Sequence, residues 1–362
     1  MDIQKRLELI RGIAEEIITE KELRELLLTK EHPVAYDGFE PSGIAHLPFG
    51  IYRALLLKDL LKAGVHFKLW LADWFAWINK KLGGDLEKIQ KTGKYFIEVW
   101  KAAGVDLSKV KIIWASKEVQ DPAYWKRVIE IAKNTTMARA TRCLGIMGRK
   151  VGELAEVAQY YYPCMQASDI FQLQVDITQL GLDQRRACIL AREIAPKLGY
   201  KKPVVVSHHM LLGLEGVKQP EGFDENKARD IAISSKMSKS KPLSCIYVHD
   251  NLEEIKEKLK RAYCKPRDTK NNPVLGYCKE IVFRAFKEMK IERAKKYGGS
   301  IIFSSYTELE KAFEKGKLHP LDLKNSLALY LDKLIKPIRE YFEKNKKAKE
   351  LYEFVKKQEI TR

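Results

Sequence analysis

The chain has 362 residues, 45% of them hydrophobic and 31% charged, which is enough for two or three domains around sizeable cores. The longest apolar candidates, such as Phe67 to Phe75, are interrupted by Lys68 and Asp73, so no membrane span is expected. The charged stretch Met1 to Arg11 lacks the apolar centre of a secretion signal, and a cytoplasmic protein is expected. The formal net charge of +18 favours an anionic partner, RNA first among them, although a solvated lysine-rich surface would carry the same charge. The six cysteines form no Cys-x-x-Cys pair, which points to reduced thiols and against a protein-bound metal.

Residues 1–30 read as an amphipathic helix, with Leu7, Ile10, Ile13, Ile17 and Ile18 on one stripe. Val34 to Phe39 is a short β-like run ending in a turn, and Leu47 to Ala63 is helical. His66 to Ala72 is a buried-type strand, Asp85 to Ala103 a helix and Val110 to Trp114 a third strand. This alternation predicts right-handed crossovers and an α/β fold with a Rossmann-like parallel sheet. The pattern pauses over 121–160, a helical stretch rich in Arg and Lys that reads as an insertion between two halves of the sheet. It resumes with a helix from Tyr162, a strand at Val175 to Gln179, a helix from Asp183 to Leu198 and a strand at Pro203 to Ser207. Gly213 to Pro242 is Gly- and Lys-rich and is expected to be a mobile loop or linker. From Asn251 onward the chain is mostly helical and lysine-rich. The expected units are an N-terminal helical segment (1–30), two catalytic halves (31–120 and 161–212) around the insertion (121–160), a linker (213–248) and a helical C-terminal domain (249–362).

Chemistry concentrates in three places. The first strand runs into Gly38-Phe39-Glu40-Pro41-Ser42-Gly43, with His46 just before a helix. A strand–turn–helix at this place in a parallel sheet suits a nucleotide, because glycines admit close approach and helix N-termini offer free N–H groups. It is neither a Gly-x-Gly-x-x-Gly turn nor a P-loop, since Ile44-Ala45 follows the second glycine of the Gly-x-x-x-x-Gly spacing, and an ordinary loop remains the alternative. The second place is Lys236-Met237-Ser238-Lys239-Ser240. Two lysines three apart in a flexible loop can close over a triphosphate and neutralise charge that builds on leaving pyrophosphate. The third is the helix that carries Tyr162, Gln166 and Asp169 at i, i+4 and i+7, a polar stripe flanked by Met165, Ile170 and Leu173. Gln166 and Tyr162 can meet an α-amino group, while Asp169, with Tyr36 from the first strand, can satisfy a phenolic hydroxyl that both donates and accepts. Phenylalanine would leave both groups unpaired. A solvent face is the alternative for this stripe.

The turn with His46 and the lysine loop resemble the two signatures of class I aminoacyl-tRNA synthetases. The first departs from the pattern, because Phe49 stands where a second His is usual. Together with Tyr36 and the Tyr162 helix, they make most of the chain similar to the archaeal and eukaryotic tyrosyl-tRNA synthetases. The resemblance implies tyrosine held by Tyr36, Tyr162, Gln166, Asp169 and Gln184. It implies ATP, with Mg2+, at Gly38, Glu40, Ser42, Gly43, His46 and residues 236–240, with Gly181 and Asp183 on the AMP ribose. His46, Lys236 and Lys239 would carry catalysis, and no dedicated metal ligands are implied. The partner would be tRNA(Tyr), contacted by Arg142, Arg185 and Arg186 at the acceptor stem and by Tyr297, His319, Pro320 and Asp322 at the anticodon. A homodimer through the insertion is implied too. A tryptophan-specific relative and a non-catalytic RNA-binding relative are the rivals. Tyr36 with Asp169 argues against the first, because an indole has one donor and no acceptor; His46 with both loop lysines argues against the second.

Overall fold

The apolar runs between helices assemble into one six-stranded sheet. In the computed structural model, which describes residues 1–148, 156–239 and 242–358, the strands are β1 (Ala14–Ile18), β2 (Val34–Phe39), β3 (His66–Leu71), β4 (Val110–Trp114), β5 (Ile177–Thr178) and β6 (Val204–His208). Their order is β1-β6-β5-β2-β3-β4. β1 runs antiparallel to β6, and the other neighbours are parallel. The register sets Tyr36 beside Lys68 of β3 and Thr178 of β5. From β2 the chain builds outward through β3 and β4, then returns to the other side of β2 for β5 and β6. That reversal makes the gap between the carboxyl ends of β2 and β5 a topological switch point, where ligands of such sheets bind.

Alternate strand residues serve two cores, as the pleat requires. Ala35, Leu69, Val204 and Val206 enter one core, while Tyr36, Trp70 and Val205 enter the other. The first core takes α1 (Ile3–Arg11), α2 (Glu20–Thr29), α3 (Arg53–Lys62) and α5 (Leu86–Ala102). The second takes the short α4 (Asp73–Ile78) and α6 (Ala115–Glu118) with α7 (Pro122–Lys133), α8 (Met137–Cys143), α9 (Val157–Gln172) and α10 (Arg185–Ile194). Beyond β6 come α11 (Lys227–Ser234), α12 (Leu252–Arg261), α13 (Pro273–Tyr277), α14 (Phe283–Ala285), the antiparallel hairpin β7 (Met289–Ile291) and β8 (Ile301–Phe303), α15 (Tyr306–Glu314), α16 (Pro320–Lys344) and α17 (Lys346–Lys356). The apolar residues of these C-terminal helices join the first core without a break, so α5 touches both the sheet and the tail. Among the described residues no helix is long and apolar enough to cross a membrane.

Four expectations need correction. Residues 1–30 are not a single helix: Gly12 caps α1, and Ile17 and Ile18 pair with Val206 and Val205 in the edge strand β1. Their spacing satisfies a helical stripe, but backbone pairing to β6 wins. The strand at Val175 to Gln179 shrinks to β5, and the helix carrying Tyr162 begins earlier, at Val157. The segment from Gly213 to Pro242 is more than a loop. It contains α11, capped by Asn226, and the Asp230 carboxylate accepts from the N–H groups of Gly222 and Phe223 at 2.8 Å each.

Candidate active site

The crevice at the switch point is a cavity of about 540 Å³. Its deep end is built by β2 and α9. Tyr36, Tyr162, Gln166, Asp169 and Gln184 all line it. Tyr36 and Asp169 are almost fully buried, and burial pushes the Asp169 carboxyl well above the usual carboxylate range. The Tyr124 hydroxyl opposes that shift by donating to Asp169 Oδ1 at 2.8 Å. Among the polar atoms buried here without a partner are the Tyr36 hydroxyl and Gln166 Oε1. Such groups cost about 1–3 kcal/mol each when unpaired, so they mark places for ligand atoms. Gln166 Nε2 is held by Gln184 Oε1 at 3.2 Å, which leaves Oε1 as the free acceptor, and Gln184 is in turn anchored on the Ile146 carbonyl at 3.0 Å. Tyr162 donates to Glu40 Oε1 at 2.8 Å, and Asn79 also donates to that carboxylate at 3.1 Å. Glu40 therefore stands beside the α9 stripe, not out among the other turn residues.

The outer end is built by the turn after β2 and by the lysine loop. Gly38, Ser42 and His46 line it with Gly181, Asp183, Lys236, Met237, Ser238 and Lys239. Gly43 does not line it; it takes φ +119°, a conformation that allows the chain to turn there. Gly181 has a different constraint: a Cβ would sit 2.5 Å from Asp183 Oδ1 and 2.8 Å from Met210 Sδ. Lys236 pairs with Asp183 Oδ2, and Lys239 Nζ donates to Ser42 Oγ at 2.8 Å. The loop thus rests across the crevice, pinned where Met237 N–H donates to the Leu211 carbonyl at 2.8 Å. Desolvation lowers the half-buried Lys239 to about 8. Burial, with Lys239 and Lys236 nearby, holds His46 well below its ordinary value, so it is a neutral ring whose Nδ1 has no partner. Ser240 lies outside the described residues. Phe49 packs between Phe96 and Trp100, with ring centroids 4.1 and 4.8 Å away, so the absent histidine is replaced by aromatic core.

The residues assigned to RNA lie apart from this cavity. Arg142 is exposed, and its carbonyl accepts from Arg186 Nη1; Arg186 also faces Asp224 at 3.6 Å. Arg185 pairs with Glu16 of β1 at 2.6 Å. In the C-terminal part His319 is the N-cap of α16, Pro320 its first residue and Asp322 in its first turn. Tyr297 is 63% exposed. Arg293 ties its loop to the segment before α16 by donating to the Gly299 carbonyl at 2.9 Å and the Lys317 carbonyl at 3.0 Å.

Sequence reasoning missed Tyr124, Arg293 and a buried group in the wall of the cavity. In that group Arg53 reaches Gln179 Oε1 at 2.6 Å, Asp37 Oδ2 at 3.3 Å and His208 Nδ1 at 3.4 Å. It also missed that Phe223, from the segment before the lysine loop, lines the cavity. None of these carries a local pattern. Among the described residues there is no group of three or more His, Cys, Asp or Glu that could hold a metal ion.

A parallel sheet with a nucleotide-type turn at its switch point and a paired-lysine loop across it defines a class I aminoacyl-tRNA synthetase. The family model for class I tRNA synthetases (W and Y) matches residues 28–221 and 228–336. The chain is 45% identical over 372 residues to the tyrosine–tRNA ligase of Thermococcus kodakarensis, covering 98% of this chain and 99% of that one. It is 42% identical over 364 residues to the cytoplasmic tyrosine–tRNA ligase 1 of Arabidopsis thaliana, covering 100% of this chain and 90% of the relative. The solved structure of tyrosyl-tRNA synthetase from Pyrococcus horikoshii, complexed with L-tyrosine, matches with a TM-score of 0.89 at 41% identity over 98% of this chain and 100% of that one. The chain belongs to this class, and within it to the tyrosine–tRNA ligases of archaeal and eukaryotic type.

Proposed function

We propose that the cavity activates tyrosine with ATP and that the adenylate then charges tRNA(Tyr). The observation that carries this reading is the pair of unpartnered buried groups beside Asp169. The substrate phenol donates to the carboxylate of Asp169 and accepts from Tyr36, while its ammonium meets Gln166 Oε1 and the Tyr162–Glu40 pair. Phenylalanine would leave the Tyr36 hydroxyl and the Asp169 oxygen not held by Tyr124 without a partner, the logic that tyrosine-specific synthetases exemplify.

ATP lies along the turn, with its ribose at Gly181 and Asp183. The tyrosine carboxylate attacks the α-phosphorus in line, and the bond to pyrophosphate breaks. No enzyme nucleophile is needed; His46 donates a hydrogen bond from its neutral ring, and Lys236 and Lys239 neutralise the leaving group. Lys236 must leave Asp183 to do so, which frees that carboxylate for the ribose hydroxyls. Magnesium enters as part of the ATP substrate, bound by phosphate oxygens and water.

Arg142, Arg185 and Arg186 face the acceptor end of the tRNA, and Tyr297, His319, Pro320 and Asp322 the anticodon. Exposed Ile129 and Met137 support a homodimer through the insertion, which sedimentation would read directly. The six described cysteines are free and buried, which supports a cytoplasmic site of action. ATP–pyrophosphate exchange tests the reading: tyrosine should stimulate it and tryptophan should not. Stimulation by tryptophan alone, or none by any amino acid, would overturn it.

A further inference from the structure

Helix α5 carries two stripes that face different parts of the molecule. Lys91, Tyr95 and Glu98 fall at i, i+4 and i+7 and share one side. Lys91 Nζ lies 4.1 Å from the ring centroid of Phe354, Tyr95 packs on Phe342 and Tyr352, and Glu98 accepts from the Tyr341 hydroxyl at 2.6 Å. All four partners belong to the C-terminal end of α16 or to α17, which together form the tail of the chain. The second stripe, Gly93, Phe96 and Trp100, lies against the nucleotide turn. A Cβ on Gly93 would come 3.4 Å from Pro41, and Phe96 packs on Phe49 while Lys239 Nζ stands 5.5 Å from its centroid. The helix is a wall with the tail on one side and the phosphate site on the other.

A chain of hydrogen bonds crosses that wall. The N–H of Ala45, the residue before His46, donates to the Tyr95 hydroxyl oxygen at 3.2 Å. That oxygen is 2.8 Å from His249 Nε2. Tyr95 is fully buried, so its own proton needs an acceptor, and His249 Nε2 provides one. This assigns the imidazole proton to Nδ1. Burial holds His249 down at about 3, so the ring stays neutral and keeps its acceptor. Tyr352 of α17 stacks on it at 3.8 Å with an interplanar angle of 20°, and Phe342 meets it edge-on at 4.8 Å. One aromatic ring of the tail therefore sets the plane of the imidazole that orients the hydroxyl holding the backbone beside His46.

We propose that Tyr95 and His249 are positioning residues for the ATP step, and that Tyr352 in α17 sets them, so the tail tunes tyrosine activation from outside the cavity. The proposal rests on reading the turn with His46 as the ATP phosphate site. No chemistry passes through the chain; it fixes where the Ala45–His46 backbone stands when the triphosphate binds, and small displacements of such groups cost rate steeply.

The test uses the whole protein, with tyrosine-dependent pyrophosphate exchange measured while ATP and tyrosine are titrated separately. Tyr95→Phe removes one hydroxyl, Tyr352→Ala removes the stacking ring and Tyr352→Phe keeps it. Thermal melting is followed for each. The first two variants should raise the ATP KM about tenfold and leave the tyrosine KM unchanged, and Tyr352→Phe should match the unmodified enzyme. Unchanged ATP KM in both, or ATP and tyrosine KM rising together with a lowered melting temperature, would overturn it. Absence of exchange in the unmodified protein would instead overturn the ATP reading beneath it.

Discussion

Tyr124 and Asp169 share a hydrogen bond of 2.8 Å at the bottom of the cavity, although they stand on different helices, α7 and α9. The donor fixes one carboxylate oxygen and leaves the other for a ligand. It also opposes the burial that favours the protonated acid. Tyr124→Phe removes it. The Asp169 carboxyl should then shift further upward and become a poorer acceptor for a phenol. A buried hydrogen bond to a charged group contributes about 1.5–3 kcal/mol, so the tyrosine KM in exchange should rise about tenfold or more. Discrimination against phenylalanine should fall with it. An unchanged tyrosine KM would show that Asp169 needs no such partner.

Tyr36 behaves in the opposite sense. Its hydroxyl is buried without a partner in the ligand-free protein, which is a cost that tyrosine binding would remove. Tyr36→Phe should therefore raise the melting temperature of the ligand-free protein by about 1–3 °C. The same change should shrink the further rise that added tyrosine produces, since one hydrogen bond to the phenol is gone. Melting curves with and without tyrosine read both effects. A ligand-free protein that melts lower would mean that Tyr36 already has a partner in solution.

These two residues mark the limit of what the sequence discloses. Gly38 to His46 and Lys236 to Lys239 can be singled out because each group of residues is contiguous in the chain. Tyr162, Gln166 and Asp169 are legible because helical periodicity puts them on one face. Tyr124 is not, because only the packing of α7 on α9 brings it to Asp169. The same holds for Arg53, which meets Gln179 and His208 from a different crossover. β1 is hidden for another reason: Ile17 and Ile18 fit a helical stripe as well as a short strand, and only the open edge of β6 decides between them.

Lys239 gives the site a pH dependence. Its folded value is lowered to about 8 by desolvation, below the ordinary lysine value. In the free enzyme the charge that meets the phosphates is lost as pH rises through about 8, so kcat/KM for ATP in exchange should fall above that point. Lys239→Arg keeps its charge across the range and should flatten this limb. The stability sign follows from the same shift. Between about 8 and the ordinary lysine value the unfolded chain binds the extra proton, so stability rises with pH over that window. The destabilising cost is fully present below it. A pH profile with the same alkaline limb in the arginine variant would assign that limb to another group.

The C-terminal residues should separate the two half-reactions. Arg293 clamps the loop of Tyr297 to the segment leading into α16, where Asp322 sits in the first helical turn. A carboxylate there can accept from a guanine edge, and an exposed ring can stack on the same base. Contacts of this kind contribute about 1–3 kcal/mol each, so Asp322→Ala should lower kcat/KM for tRNA charging about ten- to a hundredfold. Tyr297→Ala should do the same by loss of stacking, and Arg293→Ala by releasing the loop. None of these side chains lines the cavity, so tyrosine-dependent exchange should stay at the unmodified rate in all three variants. If exchange falls in parallel with charging, the C-terminal loops act on the catalytic site and not on the anticodon.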